Sequence, residues 1–321
     1  MELKNKRVLV IGGAGFIGSH VVEELLKTEV SEIVVYDNFC RGQPRNLGCA
    51  LRDDRVTVFP LGGDILHPDI LDQAMEGVDG VIHLAALWLL HCHEFPCSAF
   101  DVNIKGTFNV LEACRKHQVK KLIYSSSASV YGDAVEEPMK EDHPYNNWTF
   151  YGATKIAGEH MLKAYHHRYG LNGIGLRYMN VYGPRQDYQG VYIAVMMKIL
   201  DAVDKNEAPK VFGDGSQSYD FIHVTDVAKA NVCALQSSSE FGLYNVGRGI
   251  KTSIKELAEI LLRLTGREDL SIQYEPGGQT FVTNRVGSID AARSEIGFEG
   301  SVDLEAGMRS LIEWRNNDKN H

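Results

Sequence analysis

The segment Gly12-Gly13-Ala14-Gly15-Phe16-Ile17-Gly18 follows a short apolar run, Arg7–Ile11, and leads directly into a helical pattern. Gly12, Gly15 and Gly18 have the spacing of a phosphate-binding turn. In such a turn the first glycine permits a tight bend, the second lets the backbone approach a pyrophosphate, and the third lets the helix pack against the strand. The amide groups of the first helical turn then face the phosphates. This stretch predicts a dinucleotide site at the end of the first strand.

An acidic residue closes the second strand of the same unit. Asp37 follows the run Glu32–Tyr36 and lies 19 residues after Gly18. A carboxylate at this place accepts hydrogen bonds from the adenosine ribose and repels a 2′-phosphate, which favours NAD over NADP as the cofactor. Arg41 is close by in the sequence and is the candidate partner of a 2′-phosphate if NADP binds instead.

Strand-like and helix-like segments alternate along the first two thirds of the chain. The apolar runs at 56–59, 80–84, 121–124 and 173–177 lack the alternation of half-exposed strands, and helical patterns separate several of them. Repeated β-α-β units with such strands predict a parallel sheet with helices on both faces. After residue 180 strands and helices no longer alternate regularly. This change indicates a smaller unit over the carboxyl ends of the strands, where α/β proteins bind ligands.

We therefore predict an α/β protein with a Rossmann-type, doubly wound parallel sheet and a smaller, discontinuous C-terminal substrate-binding domain. Residues 1–180 and 221–248 are assigned to the NAD-binding domain, and residues 181–220 and 249–321 to the substrate domain. The polar segment 313–321 is expected to be a frayed tail.

Composition excludes several classes of function. The 321 residues include 33 Lys and Arg against 42 Asp and Glu, a formal charge of −9, so no basic surface for nucleic acid or an anionic membrane is expected. No apolar stretch of about 18 residues is present, so no membrane span is expected. The N-terminus does not resemble a signal peptide and the six cysteines are scattered, which favours a cytoplasmic protein with free thiols. The cluster His91-Cys92-His93 lacks a second set of ligands, so no metal is expected.

A tyrosine and a lysine are four residues apart in Tyr151-Gly152-Ala153-Thr154-Lys155, and on a helix they share one face. Free tyrosine has a pKa of about 10 and is a poor base at neutral pH. A nearby ammonium, together with a positively charged nicotinamide ring, stabilises the phenolate and lowers that pKa. The serine-rich segment 125–129 follows a buried strand and places hydroxyl groups at the carboxyl end of the same sheet.

These motifs together resemble those of the extended short-chain dehydrogenases/reductases, in the group of nucleotide-sugar epimerases and dehydratases. The matching segments keep the family order and span most of the chain. They are GGAGFIGS (12–19), VVYDN (34–38), GDI (63–65), HLAA (83–86), DVNIKGTFNVLEAC (101–114), SSSASVYG (125–132), YGATK (151–155), LRYMNVYGP (176–184) and GDGSQSYDFIHVTDVA (213–228).

The resemblance implies roles for single residues. Ser127 matches the catalytic hydroxyl, Tyr151 the base and Lys155 its partner. The residues expected at the NAD site, from pattern and resemblance together, are Gly12, Gly15, Phe16, Ile17, Gly18, Asp37, Asn38, Asp64, Ile65, Leu84, Ala85, Ala86, Asn103, Ser125, Tyr151 and Lys155. Those expected at the nucleotide-sugar site are Leu87, Ser127, Ala128, Asn180, Arg185, Tyr219 and Arg285. The helices near 100–117 and 151–169 resemble a pair that forms a homodimer interface.

The residues after Ser127 separate the reactions of this group. Dehydratases resemble this chain but carry Asp-Glu where it has Ala128 and Ser129, and decarboxylating relatives keep a Glu at the second position. Neither Ala128 nor Ser129 can act as a carboxyl acid or base. The simplest remaining chemistry oxidises C4 of a nucleotide sugar, turns the 4-keto sugar over and returns hydride to the opposite face. The resemblance therefore implies a 4-epimerase, with polysaccharide precursor synthesis as its setting.

Three other functions are compatible with these motifs. One is a 4-dehydrogenase or 4-keto reductase that exchanges NAD with solvent. Another is a dehydratase or decarboxylase that uses an unusual acid such as Glu94 or Asp187. A third is a catalytically silent protein that senses NAD, although the complete set of Ser127, Tyr151 and Lys155 argues against it.

Two cations of the family pattern are missing. Relatives have an arginine where this chain has Tyr219, and a second one in the region that here reads Gly-Gly-Gln-Thr, residues 277–280. A diphosphate requires a cation or a set of amide donors. Arg185 or Arg285 is expected to compensate, while Asn180 is expected to meet the diphosphate as in the relatives.

Overall fold

The computed structural model describes residues 1–188, 194–277 and 282–319. Within these ranges the strands, in chain order, are β1 (Arg7–Ile11), β2 (Glu32–Tyr36), β3 (Val56–Val58), β4 (Gly80–His83), β5 (Lys121–Ser127), β6 (Gly173–Tyr178), β7 (Asn180–Tyr182), β8 (Lys210–Phe212), β9 (Ser218–His223), β10 (Phe241–Val246), β11 (Lys251–Ser253), β12 (Gln273–Glu275) and β13 (Asn284–Arg285). Most of the segment 277–280, which replaces a family arginine, lies outside the described residues.

The helices of the same ranges are α1 (Phe16–Leu26), α2 (Pro68–Ala74), α3 (Leu89–Glu94), α4 (Pro96–Ala99), α5 (Thr107–Lys116), α6 (Phe150–Tyr169), α7 (Val195–Asp204), α8 (Val224–Gln236), α9 (Ile254–Leu264), α10 (Asp290–Glu295) and α11 (Leu304–Lys319). A π-helical stretch, Phe100–Gly106, joins α4 to α5. No helix among the described residues is long and apolar enough to cross a membrane.

Seven strands form one parallel sheet in the order β10-β6-β5-β4-β1-β2-β3. β1 pairs with β2 on one side and with β4 on the other, so the winding of the chain reverses at β1. This reversal is the mark of a doubly wound sheet, and ligands bind beside it at the carboxyl ends of the strands. The predicted Rossmann-type sheet is confirmed.

Helices cover both faces of this sheet because its strands are apolar on both sides. Val8 and Val10 of β1 pack in the core under α1 and α8. Leu9 and Ile11, which point the opposite way, pack in the core under α2, α5 and α6. The alternation of a β-strand thus supplies two cores from one continuous apolar run.

The last third of the chain forms a second, smaller packing unit. β9 pairs with β11 and β13, and β7 pairs with β9. A third apolar core joins α7, α9 and α11 and includes Leu200, Leu261 and Leu311. Phe298, from the segment assigned to the substrate domain, packs instead in a core of the large sheet. The division at residues 180, 221 and 248 stays a prediction.

The expected tail at 313–321 is wrong as far as residue 319, because α11 continues to Lys319. Arg315 holds this helix end against α7: its guanidinium is buried and bonds to Asp201 and, at 2.6 Å, to Asp204. The two carboxylates lie more than a hundred residues earlier in the chain, so the local polar composition gave no sign of them.

Candidate active site

The glycine-rich turn after β1 is shaped by close backbone contacts. Gly12 has a φ of +80°, and a Cβ atom there would lie 2.9 Å from the backbone nitrogen of Ala85. A Cβ atom at Gly18 would lie 2.1 Å from the carbonyl oxygen of Gly12. At Gly15 the one close atom would be that same oxygen, at 3.2 Å. The backbone is therefore closely packed at Gly12 and Gly18 and more open at Gly15, which fits the approach of a pyrophosphate at Gly15.

Asp37 ties the end of β2 to this turn. One carboxylate oxygen accepts a 2.8 Å bond from the backbone N–H of Ala14, and the other accepts a 2.8 Å bond from Phe39 N–H. Burial raises the pKa of Asp37, and the two N–H donors oppose that shift. A cavity of about 550 Å³ opens beside it and is lined by Asn38, Gly63 and Asp64 among others. These residues fit the adenosine half of a dinucleotide.

The described contacts of the Arg41 guanidinium are with residues other than Asp37. Its guanidinium carbon lies 3.5 Å from the ring centroid of Trp88, and its Nη2 atom is 3.1 Å from a carboxylate oxygen of Asp187. Arg41 thus already has an aromatic and an anionic partner.

The other residues predicted for the NAD site follow the same edge of the sheet. They are Phe16 and Ile17 in the first turn of α1, Ile65 after β3, Leu84, Ala85 and Ala86 after β4, and Ser125 in β5. The side chain of Ile65 is buried in the core under α2 and α5.

Ser127, Tyr151 and Lys155 are brought together where β5 ends and α6 begins. The Ser127 hydroxyl accepts a 3.1 Å bond from the backbone N–H of Ser129, and it opposes the rise in the pKa of the neighbouring Tyr151 phenol. Lys155 Nζ lies 5.7 Å from the ring centroid of Tyr151 and donates a 2.6 Å bond to the carbonyl oxygen of Ser125. The serine is the last residue of its strand, so its hydroxyl group lies at the carboxyl end of the sheet.

Gly152 allows this meeting of strand and helix. A Cβ atom at Gly152 would lie 2.5 Å from the carbonyl oxygen of Ser129 and 2.1 Å from the side chain of Asn147. The helix N-terminus is fixed by Thr149, whose hydroxyl accepts a 3.0 Å bond from Gly152 N–H. A larger residue at 152 would push Tyr151 away from the end of β5.

Burial shifts the two titrating groups in opposite directions. It raises the pKa of Tyr151 to about 12, and the Ser127 hydroxyl opposes the rise. It lowers the pKa of Lys155 to about 8, against the opposing influence of Cys92 and Glu159. The phenol is thus protonated in the ligand-free protein, and a positive charge brought in beside it would favour its deprotonation.

Asn103 holds the loop after β4. Its side-chain oxygen accepts a 2.7 Å bond from Leu87 N–H, and its side-chain nitrogen donates to Leu87 O at 3.0 Å and to Thr154 Oγ1 at 3.1 Å. The residue lies in the π-helical stretch before α5, a distortion that is frequent at functional sites. The place of Asn103 along the cofactor stays a prediction, and its amide is bonded to the loop after β4 and to Thr154, the neighbour of Lys155.

The predicted substrate residues are not all in one place. Asn180 begins β7, and Leu87 is half-buried beside Asn103. Ala128 is buried in a core of the sheet. Arg185 forms an ion pair with Glu23 of α1, and the described contacts of Arg185 include none with Ser127, Tyr151 or Lys155.

Tyr219 and Arg285 are register partners in β9 and β13. The Tyr219 hydroxyl donates a 2.7 Å bond to Val282 O. Burial lowers the pKa of Arg285 to about 10, and negative charge on Tyr219, Asp133 or Tyr151 opposes that shift. Arg285 also lines a small cavity together with Ser129 and Thr149.

Sequence reasoning missed a buried ion pair beneath the catalytic residues. Arg177 and Glu159 are each 1% exposed and 2.8 Å apart. Ser126 donates a 2.5 Å bond to Glu159, which links the pair to β5. Glu159 is four residues after Lys155 on α6, and that helical spacing was the one available signal.

The candidate metal cluster has other contacts. His91 packs against the rings of Trp88 and Phe95, and Cys92 is buried. Among the described residues, no group of three or more His, Cys, Asp or Glu side chains could hold a metal ion.

A doubly wound sheet, a glycine-rich turn with an acidic partner, and a serine–tyrosine–lysine group define a nucleotide-dependent enzyme that acts on an alcohol. The model of the NAD dependent epimerase/dehydratase family matches residues 8–247, and the chain belongs to that family. A Methanocaldococcus jannaschii relative, a candidate UDP-glucose 4-epimerase, is 35% identical over 97% of this chain and 99% of its own length.

Two solved structures extend the comparison. The UDP-N-acetylglucosamine 4-epimerase of Methanobrevibacter ruminantium, in complex with UDP-N-acetylmuramic acid, has a TM-score of 0.91 and 33% identity, over 98% of this chain and 99% of its own. The Thermus thermophilus UDP-glucose 4-epimerase, in complex with NAD, has a TM-score of 0.84 and 33% identity, over 97% and 99%. The predicted family, the NAD cofactor and the prediction of a nucleotide-sugar 4-epimerase are confirmed.

Proposed function

We infer that the protein interconverts the two C4 epimers of a UDP-linked sugar. The observation that carries this proposal is the convergence of Ser127, Tyr151 and Lys155 at the carboxyl end of the sheet whose first strand leads into the glycine-rich turn, with no carboxyl group at positions 128 and 129. UDP is chosen as the nucleotide because the three relatives compared above are named for UDP-sugars.

The proposed reaction assigns one task to each residue. NAD, when bound, supplies the acceptor and later the donor of a hydride. The Tyr151 phenolate takes the proton of the C4 hydroxyl and returns it when the 4-keto sugar is reduced on its other face. The Ser127 hydroxyl bonds to the reacting oxygen, and the Lys155 ammonium stabilises the phenolate.

We retain the predicted roles of the remaining site residues as part of this proposal. Gly12, Gly15 and Gly18 would hold the pyrophosphate of NAD, and Asp37 would bond to the adenosine ribose. Asn180 would meet the diphosphate of the substrate. Arg185 could contribute there only by giving up its ion pair with Glu23.

We also propose a homodimer through α5 and α6, in a cytoplasmic enzyme that serves polysaccharide precursor synthesis. Phe100 and Phe108 are 52% and 45% exposed on the helical segment that includes α5, and Tyr169 is 52% exposed at the end of α6. Such aromatic surface favours association. Phe108→Glu should therefore halve the solution mass measured by light scattering, and an unchanged mass would contradict this interface.

The test of the reaction is a panel of UDP-, GDP- and dTDP-sugars followed by NMR. A UDP-sugar should give its C4 epimer without net consumption of NAD, because the cofactor that accepts the hydride returns it in the same turnover. A reaction that consumes added NAD or NADH in proportion to product would favour a 4-dehydrogenase or 4-keto reductase instead.

A further inference from the structure

Arg285 has an unused hydrogen-bond donor in the substrate site. Its Nε atom is buried and has no hydrogen-bond partner in the described parts of the chain. The nearby Asp133 is already engaged, since its Oδ1 atom accepts from Thr283 N at 2.6 Å and from Thr283 Oγ1 at 3.0 Å. A buried guanidinium donor without an acceptor is costly, so this arrangement suits a ligand that supplies one.

The surroundings of Arg285 place it at the reacting end of the sugar. It lines a small cavity together with Ser129, Thr149 and Trp148. The backbone N–H of Ser129 bonds to Ser127 Oγ at 3.1 Å, and Thr149 caps the N-terminus of the helix that carries Tyr151, so the cavity lies in the neighbourhood of both catalytic residues. Arg285 also acts electrostatically on Tyr151 itself.

The geometry of a pyranose then limits what Arg285 can meet. C1, which carries the diphosphate, and C4, which carries the reacting hydroxyl, are at opposite ends of the ring. A cation beside the group that binds the C4 hydroxyl therefore faces a substituent on a neighbouring carbon, C3 or C5, and not the diphosphate.

We propose that Arg285, with the hydroxyl of Ser129, binds a carboxylate on the carbon next to C4, so that the preferred substrate is a UDP-linked uronic acid. This inference rests on the proposed 4-epimerase function and adds the substrate class. A carboxylate matches the planar fork of a guanidinium and offers the acceptor that Nε lacks. A neutral hexose offers a hydroxyl at the same place and leaves the charge of Arg285 unbalanced.

The experiment compares UDP-glucuronate, UDP-glucose and UDP with the wild-type enzyme and three variants. Arg285→Gln removes the charge, Arg285→Lys keeps it without the fork, and Arg293→Gln is the control at an exposed arginine paired with Glu299. Wild type should prefer the uronate in kcat/KM. Arg285→Gln should lower kcat/KM for the uronate by about 30-fold or more. Its loss in kcat/KM for UDP-glucose should be at least about tenfold smaller than for the uronate, UDP affinity should change by no more than about twofold, and Arg285→Lys should lie between.

Two results would overturn this substrate class. Equal loss of affinity for UDP, UDP-glucose and UDP-glucuronate in Arg285→Gln would place the residue on the diphosphate. No preference of the wild type for the uronate would exclude a carboxylate subsite. Calorimetric binding of the three ligands keeps this test independent of turnover: tight, Arg285-dependent uronate binding without any epimer would reject the proposed reaction and retain the carboxylate site.

Discussion

The Lys155 ammonium donates a 2.6 Å hydrogen bond to the backbone carbonyl of Ser125, two residues before Ser127 on the same strand. One strand end therefore fixes both partners of the tyrosine, the hydroxyl through its own side chain and the ammonium through its backbone. The cost of this arrangement is a buried positive charge, because Lys155 is 3% exposed. Because of that charge, the free energy of unfolding of the ligand-free protein should depend on pH in a measurable way.

Lys155→Met should stabilise the ligand-free protein at neutral pH and abolish activity. Burial lowers the pKa of Lys155 from 10.5 to about 8, so the unfolded chain binds this proton more tightly than the folded protein. The resulting penalty is complete below about pH 8 and is relieved as pH rises toward 10.5. We expect the variant to gain about 2–3 kcal/mol in free energy of unfolding at pH 7, with the gain shrinking toward pH 10.5.

Urea denaturation of the cofactor-free protein across this pH range makes the measurement. Lys163→Met is the matched control, because Lys163 is an exposed lysine of the same helix. A gain that does not change with pH would mean that Lys155 carries no titrating penalty.

Tyr151→Phe should retain NAD and lose turnover. The substitution keeps the ring but removes the group that accepts the proton, so we expect kcat to fall by about 10²–10⁴-fold. Bound NAD, measured by absorbance after denaturation, should stay at the wild-type ratio. Tyr274→Phe, at an exposed tyrosine of β12, is the control. Turnover close to wild type in Tyr151→Phe would exclude this residue as the base.

The cofactor-free enzyme should bind NAD more tightly than NADP. A 2′-phosphate would meet the carboxylate of Asp37, while the Arg41 guanidinium stacks over the Trp88 ring and forms an ion pair with Asp187. Asp37→Asn should narrow the difference between the two dissociation constants measured by calorimetry. Equal or tighter binding of NADP by the wild type would show that Arg41 leaves Trp88 to pair with the phosphate.

Local patterns in the sequence were enough for the parts of the site that lie within one element. The turn from Gly12 to Gly18 and the i, i+4 pair of Tyr151 and Lys155 depend on spacing along one strand or helix. The contacts of Asn103 with Leu87 and Thr154 depend on three segments meeting in space. The same is true of the pairing of Arg185 with Glu23, which are 162 positions apart.

The product should have the same mass as the substrate and the opposite configuration at C4. Loss of water requires an acid beside the C6 hydroxyl and a base beside C5, and the side chains that follow Ser127 are a methyl group and a hydroxyl. Glu94 and Asp187 are the carboxyl groups that would have to replace the missing acid in a dehydratase or decarboxylase. Asp187 is paired with Arg41. Ser129→Glu, which restores a carboxyl group after the catalytic serine, should reduce epimer formation and is the informative variant to run beside the wild type. Mass spectrometry of the wild-type product distinguishes epimerisation from elimination and decarboxylation. A product lighter than the substrate by one water would establish a dehydratase, and one lighter by carbon dioxide a decarboxylase. In either case the acid would have to come from a residue other than Ala128 or Ser129.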